Sequence, residues 1–167
     1  MINVICCCDN NWAIGKNNDL LYKLSEDMQY FKRVTLEGGI VAMGENTLLS
    51  FPKSKPLKNR VNIVLCPEGH NYDGCICYHD FDELVHDLQL LSTKHDIFVI
   101  GGAMFYKSML PYCDNLYITK VDAACEDATA YFPNLDEDTS FKCDSSSDII
   151  KDGEYGIRFL RYTRVKE

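Results

Sequence analysis

Asp27, Phe31 and Val34 fall at i, i+4 and i+7, which sets a carboxylate at the border of an apolar helical stripe. A carboxylate so placed is partly desolvated, and desolvation raises its proton affinity toward neutrality, as a group that must hold or supply a proton requires. The first turn of a helix also suits an acid that only complements the helix dipole, and spacing alone favours that plainer role. Arg60 follows Pro56 by four residues; its guanidinium fork could clamp a carboxylate, although a lone loop arginine is commonly a solvated charge. Two segments run from an apolar strand into glycine and then a helical pattern: Ile40-Val41-Ala42-Met43-Gly44 before Glu45-Asn46-Thr47, and Ile97-Phe98-Val99-Ile100-Gly101-Gly102 before Ala103-Met104-Phe105-Tyr106. Such turns aim backbone N–H groups at an anion. Neither is G-x-G-x-x-G or a P-loop, and each alone is an ordinary turn, but the two together suggest a dinucleotide ligand. Trp12, the only tryptophan, reads as a packing residue. His70, His79, His86 and His95 have neither metal-site nor triad spacing and receive no catalytic role.

These residues need elements to position them. Short runs rich in branched residues predict strands at Ile2 to Cys8, Ile40 to Met43, Val61 to Cys66, Cys75 to Tyr78, Ile97 to Ile100 and Leu116 to Val121. Between them Ser25 to Leu36, Asp80 to Leu91 and Gly102 to Leu110 read as helices, the first with Ser25 as N-cap and Glu26 and Asp27 in its first turn. Alternating strands and helices imply right-handed crossovers, a mainly parallel sheet and ligands at the carboxyl ends of its strands. Segments around Phe141 to Ser145 and Ile157 to Thr163, separated by Lys151-Asp152-Gly153, predict a hairpin at the sheet edge. The expected architecture is a three-layer α/β fold, a mainly parallel central sheet with helices on both faces and a C-terminal antiparallel hairpin, in one domain over residues 1–167.

The bulk properties narrow the function further. A chain of 167 residues buries a substantial core without cross-links. Its net charge of −8 argues against a nucleic-acid partner. No run approaches the roughly 20 apolar residues of a membrane helix, and Met1 to Ile5 carries no secretory signature, which places the protein in the cytoplasm. The nine cysteines are odd in number and lack a C-x-x-C pair, and Cys6-Cys7-Cys8 lies in an apolar run. They read as reduced, buried thiols rather than disulfides or metal ligands.

The segments taken together resemble the dihydrofolate reductase family over essentially the whole chain. Ile2-Asn3-Val4-Ile5 and Ala13-Ile14-Gly15-Lys16-Asn17 resemble its first strand and the mobile loop that follows. Tyr22-Lys23-Leu24-Ser25 matches its W-x-L-P segment, and Glu26-Asp27-Met28 through Phe31-Lys32 its catalytic helix. Met43-Gly44-Glu45-Asn46-Thr47 stands for M-G-R-x-T, Pro56-Leu57-Lys58-Asn59-Arg60 for P-L-x-x-R, and Val99-Ile100-Gly101-Gly102 for V-I-G-G; Ile118-Thr119 and Tyr131-Phe132-Pro133 complete the series. The resemblance implies a monomeric oxidoreductase of one-carbon metabolism that reduces dihydrofolate to tetrahydrofolate with NADPH, needs no metal and binds antifolate inhibitors.

Residue by residue, the resemblance implies that Asp27 holds the pterin and promotes its protonation, with Tyr22 and Leu20 beside the reaction. Ile5, Cys7, Met28, Phe31, Phe51, Leu57 and Ile100 would line the substrate pocket, Thr119 would support the Asp27 carboxylate, and Arg60 would bind the glutamate carboxylate of the substrate. Ala13, Ile14, Gly15, Asn18 and Leu20 would close over the nicotinamide. Cys7, Gly44, Glu45, Asn46, Thr47, Leu65, Cys66, Ile100, Gly101, Gly102, Ala103, Met104, Phe105 and Tyr106 would contact the cofactor, and the Gly101–Gly102 peptide would be cis. The chain departs from the family pattern at Tyr22 and Ser25, where Trp and Pro are usual, at Ala103, a frequent glycine, and at Glu45. There an acid replaces the arginine that meets the adenosine phosphates, so NADH use stays open, with His70 or a distant lysine as the cation candidates. Two other readings stay open with it: a catalytically degenerate folate- or nucleotide-binding module, and a related pterin or pyrimidine reductase.

Overall fold

In this computed structural model, residues 1–166 are described. The chain forms, in order, β1 (Ile2–Asp9), β2 (Ala13–Lys16), β3 (Asp19–Leu20), α1 (Ser25–Gly38), β4 (Ile40–Gly44), α2 (Glu45–Ser50), β5 (Val61–Leu65) and β6 (Cys75–Tyr78). Then follow α3 (Phe81–Leu91), β7 (Ile97–Val99), α4 (Ala103–Met109), β8 (Asn115–Val121), β9 (Ala130–Tyr131), β10 (Phe141–Ser146), β11 (Ile150–Asp152) and β12 (Tyr155–Arg164). A nine-stranded sheet runs in the order β10-β12-β8-β1-β7-β4-β5-β6, with β11 on β12. The six strands from β8 to β6 in that order are parallel, and β12 joins β8 antiparallel. This is the mixed sheet expected from the alternation of strands and helices. Among the described residues no helix is long and apolar enough to cross a membrane.

The apolar run of β1 explains its central place, since a strand covered on both faces has no polar side to offer water. Its side chains divide by alternation. Val4, Cys6 and Cys8 enter the larger core with Trp12, Leu84, Leu88 and Met109. Ile5 faces the other way, into a core with Val41, Met43 and Ile100 that Phe31 and Val34 of α1 cover. Cys7 shares the Ile5 side and packs with Leu24 and Val121. The parallel register sets Cys7 directly beside Thr119 of β8, so both side chains point to the α1 face.

Three local expectations need correction. The N-cap of α1 is Leu24, with Ser25 already helical, and no side chain of the cap residue bonds the first turn. Lys151 and Asp152 form β11 rather than a simple turn, pairing with Gly156 and Tyr155 around Gly153, whose φ of +63° suits glycine. The segment after β1 is not a bare loop: β2 pairs with β3 and with β9. Two-residue partners, one of them more than 100 residues away, leave no periodicity to read. The cysteines also differ from expectation. All nine are free, but only Cys6, Cys8, Cys66 and Cys113 are buried, and Cys143 is exposed.

Candidate functional site

Asp27 lies in the first turn of α1, half-buried. The Thr119 hydroxyl and the Cys7 thiol lie near its carboxylate and favour the anion, while burial and the nearby Asp152 carboxylate oppose it. Burial is the largest of these effects and Asp27 holds its proton to a higher pH than an ordinary carboxyl. The two donors come from neighbouring strands in direct register. Burial in turn pushes the Cys7 thiol well up, so it remains a neutral donor. On the α1 face Ile5 and Ile100 are buried and Phe31, Phe51 and Leu57 half-buried in one apolar cluster, and Met28, next to Asp27 in the chain, is exposed, which gives the helix start an apolar lip.

Arg60 stands at the far end of the same helix. Its Nη1 donates to Thr35 Oγ1 at 2.9 Å and its Nε to the Lys58 carbonyl at 3.0 Å, so the guanidinium is aimed rather than waving in solvent. Buried Asn62 holds the loop that carries it: its Nδ2 donates to the carbonyls of Leu57 and Arg60, both at 2.9 Å, and its Oδ1 accepts the Leu57 N–H at 2.9 Å. Sequence reasoning passed over Asn62, whose signal is a lone polar residue inside Val61-Asn62-Ile63-Val64-Leu65.

A groove of about 430 Å³ runs past the two strand–glycine–helix turns. Its walls include Ile14, Gly15 and Asn18 from one side and Gly44, Glu45, Asn46, Thr47, Gly102, Ala103, Met104 and Phe105 from the other. Gly44 and Gly102 are the N-caps of α2 and α4, and neither helix start is satisfied by a cap side chain. Gly101 has φ +124°, and a Cβ there would stand 3.4 Å from Thr47 Oγ1 and from the Tyr106 ring, so the turn requires glycine. The Gly101–Gly102 peptide is cis. A negatively charged ligand lying along this wall would meet free N–H groups and, at the glycines, close backbone approach.

Of the other residues named, several are buried and one is exposed. Tyr106 is buried, and its hydroxyl donates to the Ile5 carbonyl at 2.7 Å. Ala13 is fully buried beneath the groove. Cys66 is buried with its thiol on the His70 carbonyl, and Leu65 is half-buried beside it. Leu20 in β3 is exposed. The Tyr22 hydroxyl donates to Asp9 Oδ2 at 3.0 Å. Glu45 does not hang in solvent: its Oε2 is 2.6 Å from His70 Nδ1 and accepts the Tyr72 hydroxyl at 2.7 Å. These two contacts, His70 first, hold the Glu45 carboxyl below its ordinary range.

Asp9 is the other residue that sequence reasoning missed. It is fully buried at the end of β1. Its Oδ1 accepts the N–H groups of Asn11 (2.9 Å) and Ala13 (3.0 Å), and its Oδ2 accepts Tyr22 and the Cys125 N–H at 3.0 Å. Four donors on one carboxylate tie β1, the turn into β2, Tyr22 and the segment after β8 together. Next to it Trp12 is buried with φ +64°, tilted against Phe132 and edge-on to Tyr162, and the Lys120 ammonium stands 3.3 Å from the ring centroid.

The model of the family described as dihydrofolate reductase matches residues 1–164 of this chain. The chain belongs to the dihydrofolate reductase family. A dihydrofolate reductase of Bacillus subtilis is 37% identical over 168 residues, covering 98% of this chain and 95% of that protein. One from Schistosoma mansoni is 32% identical, covering 96% and 95%. Among solved structures, a dihydrofolate reductase from Enterococcus faecalis complexed with NADP(H) and RAB-propyl has the same fold, with a TM-score of 0.86 over 99% of this chain and 97% of that one at 24% identity. The chain is an oxidoreductase with the family's activity, the reduction of dihydrofolate.

Proposed function

We propose that this chain reduces 7,8-dihydrofolate to tetrahydrofolate with NADPH through Asp27, and that it does so as a single domain and a monomer. The observation that carries this reading is the Asp27 carboxylate, desolvated on one side, braced by Thr119 and Cys7 and open to an apolar lip on the other. A flat heterocycle with an amino group and a ring nitrogen satisfies the carboxylate with two parallel hydrogen bonds while the lip takes its faces. The site and the bound substrate together then hold one proton, and the negative charge on Asp27 favours its transfer to the ring nitrogen that must be protonated. Activity therefore falls with rising pH once that proton is lost.

Asp27 and Thr35, which aims Arg60, are eight residues apart, about 12 Å along the helix. That span suits a substrate with a heterocycle at one end and a carboxylate at the other, which Arg60 would receive. The groove fits an anionic dinucleotide, with uncapped N–H groups at Glu45–Thr47 and Gly102–Met104 and close approach at Gly101. NADPH bound there would supply the hydride. Ile14, Gly15, Asn18 and Leu20 would shelter the reacting rings from water, and Asp9 with Tyr22 would hold that segment in place. Glu45 lies where the extra phosphate of NADPH is expected, and its pairing with His70 and Tyr72 tempers the repulsion.

Every residue invoked comes from this chain, so the site as proposed is complete without a second subunit. Nine free thiols suit a reducing compartment such as the cytoplasm. Flat heterocycles that present the same donor pair to Asp27 would compete with substrate as antifolate inhibitors. The test is NADPH oxidation followed with dihydrofolate for the wild type and Asp27→Asn. Turnover in the wild type and its loss in the variant at neutral pH is expected; a binding module would show neither, and an unaffected variant would remove Asp27 from the reaction.

A further inference from the structure

One buried carboxylate takes no part in the reaction as described. Asp152 closes β11, is 5% exposed, and joins no ion pair among the described residues. Its Oδ2 instead accepts the backbone N–H groups of Glu26, at 2.8 Å, and Asp27, at 3.3 Å. The N-cap of α1 is Leu24, which has no side-chain acceptor, so the acceptor for the helix start is delivered by the hairpin, more than 120 residues later in the chain. A carboxylate against two N–H donors at the positive end of a 14-residue helix is the complement of that dipole.

We propose that Asp152 is a positioning residue for the reaction: it fixes the peptide on which the Asp27 side chain is mounted and sets a second negative charge behind that carboxylate. The inference rests on Asp27 being the proton-holding group. Two carboxylates that share a small, partly desolvated space resist carrying charge together, and Asp152 has backbone donors and a helix dipole on its side. The Asp152 charge therefore adds to burial in raising the proton affinity of Asp27.

The other groups that feel the Asp27 charge do not compete for this role. They are Cys6, Cys7 and Cys8 of β1, Tyr30 one turn along α1 and Tyr106 of α4, while Thr119 of β8 carries no titratable group. Burial pushes each of these thiols and phenols up, Cys8 to about 12, so none changes charge where Asp27 does. A purely structural cap would serve equally well with a neutral oxygen, which is what separates the two roles.

The experiment compares Asp152→Asn, which keeps an oxygen for the two N–H groups and removes the charge, with Asp152→Ala, which removes both. Asp152→Ser offers a smaller neutral acceptor if the amide packs poorly. Two quantities are read: the carboxyl titration of Asp27 by carbon NMR in the ligand-free protein, and the pH profile of dihydrofolate reduction. In the Asn variant Asp27 is expected to titrate at lower pH than in the wild type, with the alkaline fall of activity moved down by the same amount and the acid-side rate kept. The Ala variant is expected to add a loss at every pH. An unmoved Asp27 titration in Asn and Ser, or a loss uniform across pH, would overturn the proposal. A titration that moves while the activity profile stays would keep the coupling and instead retire Asp27 as the proton-holding group.

Discussion

Asp9 and Asp27 are two carboxylates on the same α/β framework, and their surroundings send them to opposite ends of what an acid can do. The end of β1 gives Asp9 four donors and no exposure, so its charge is spent on holding chain segments together. The start of α1 gives Asp27 a hydroxyl and a thiol nearby, a like charge behind it and an apolar lip. An acid that is fully satisfied by its own chain has nothing left to offer a ligand, whereas one left partly satisfied at the edge of a cleft is poised to bind and to move a proton.

The contrast is broken most sharply at the two acids themselves. Asp27→Asn is expected to lower turnover at neutral pH about 100-fold or more, with residual activity rising as pH falls, and steady-state rates across pH check this. The same variant is expected to be more stable than the wild type. A raised carboxyl pKa in the folded state means that folded protein binds more protons than unfolded protein between the ordinary value of 3.8 and the raised one, so stability drops as pH rises through that window. Removing the ionisable group removes that drop, and thermal melts should show the gain at neutral pH and its disappearance below pH 3.8. Asp9→Ala should do the reverse, costing about 3 kcal/mol through stranded buried donors, or about 6 to 12 °C in melting temperature. A melt within experimental scatter of the wild type would place Asp9 outside the framework.

Arg60 tests the ligand side of the comparison. Arg60→Ala is expected to raise the Michaelis constant for dihydrofolate about 10-fold and to leave a truncated substrate without the glutamate unaffected; equal losses for both would count against the assignment. The smallest effect is expected at Glu45. Because His70 and Tyr72 already occupy its carboxylate, Glu45→Arg should tighten NADPH about threefold to tenfold at low salt, less at high salt, and scarcely alter NADH. Dissociation constants for both cofactors at two salt concentrations decide it.

How much of this was legible beforehand follows the range of each interaction. Asp27 could be placed by helical spacing because its stripe is local, and the parallel strands by their branched runs. The strand–glycine–helix turns were readable for the same reason. Asp9 and Asp152 were not read, since each works through partners that only folding brings together: Cys125 for Asp9 and Glu26 for Asp152 lie more than 100 residues away. Asn62 acts locally, yet it is a polar residue hidden in a strand that pattern reading takes as uniformly apolar. The Ser25 cap failed on a rule of local chemistry that a distant carboxylate overrode.

The surroundings of Trp12 have an optical consequence. With a single indole in the chain, enclosed by Phe132 and Tyr162 beneath the Lys120 ammonium, intrinsic tryptophan emission reports one neighbourhood, the junction of β1 and β2. A change in that emission reads the loosening or tightening of the Asp9 junction directly, and events confined to the Asp27 lip can be followed against it as a quiet internal reference.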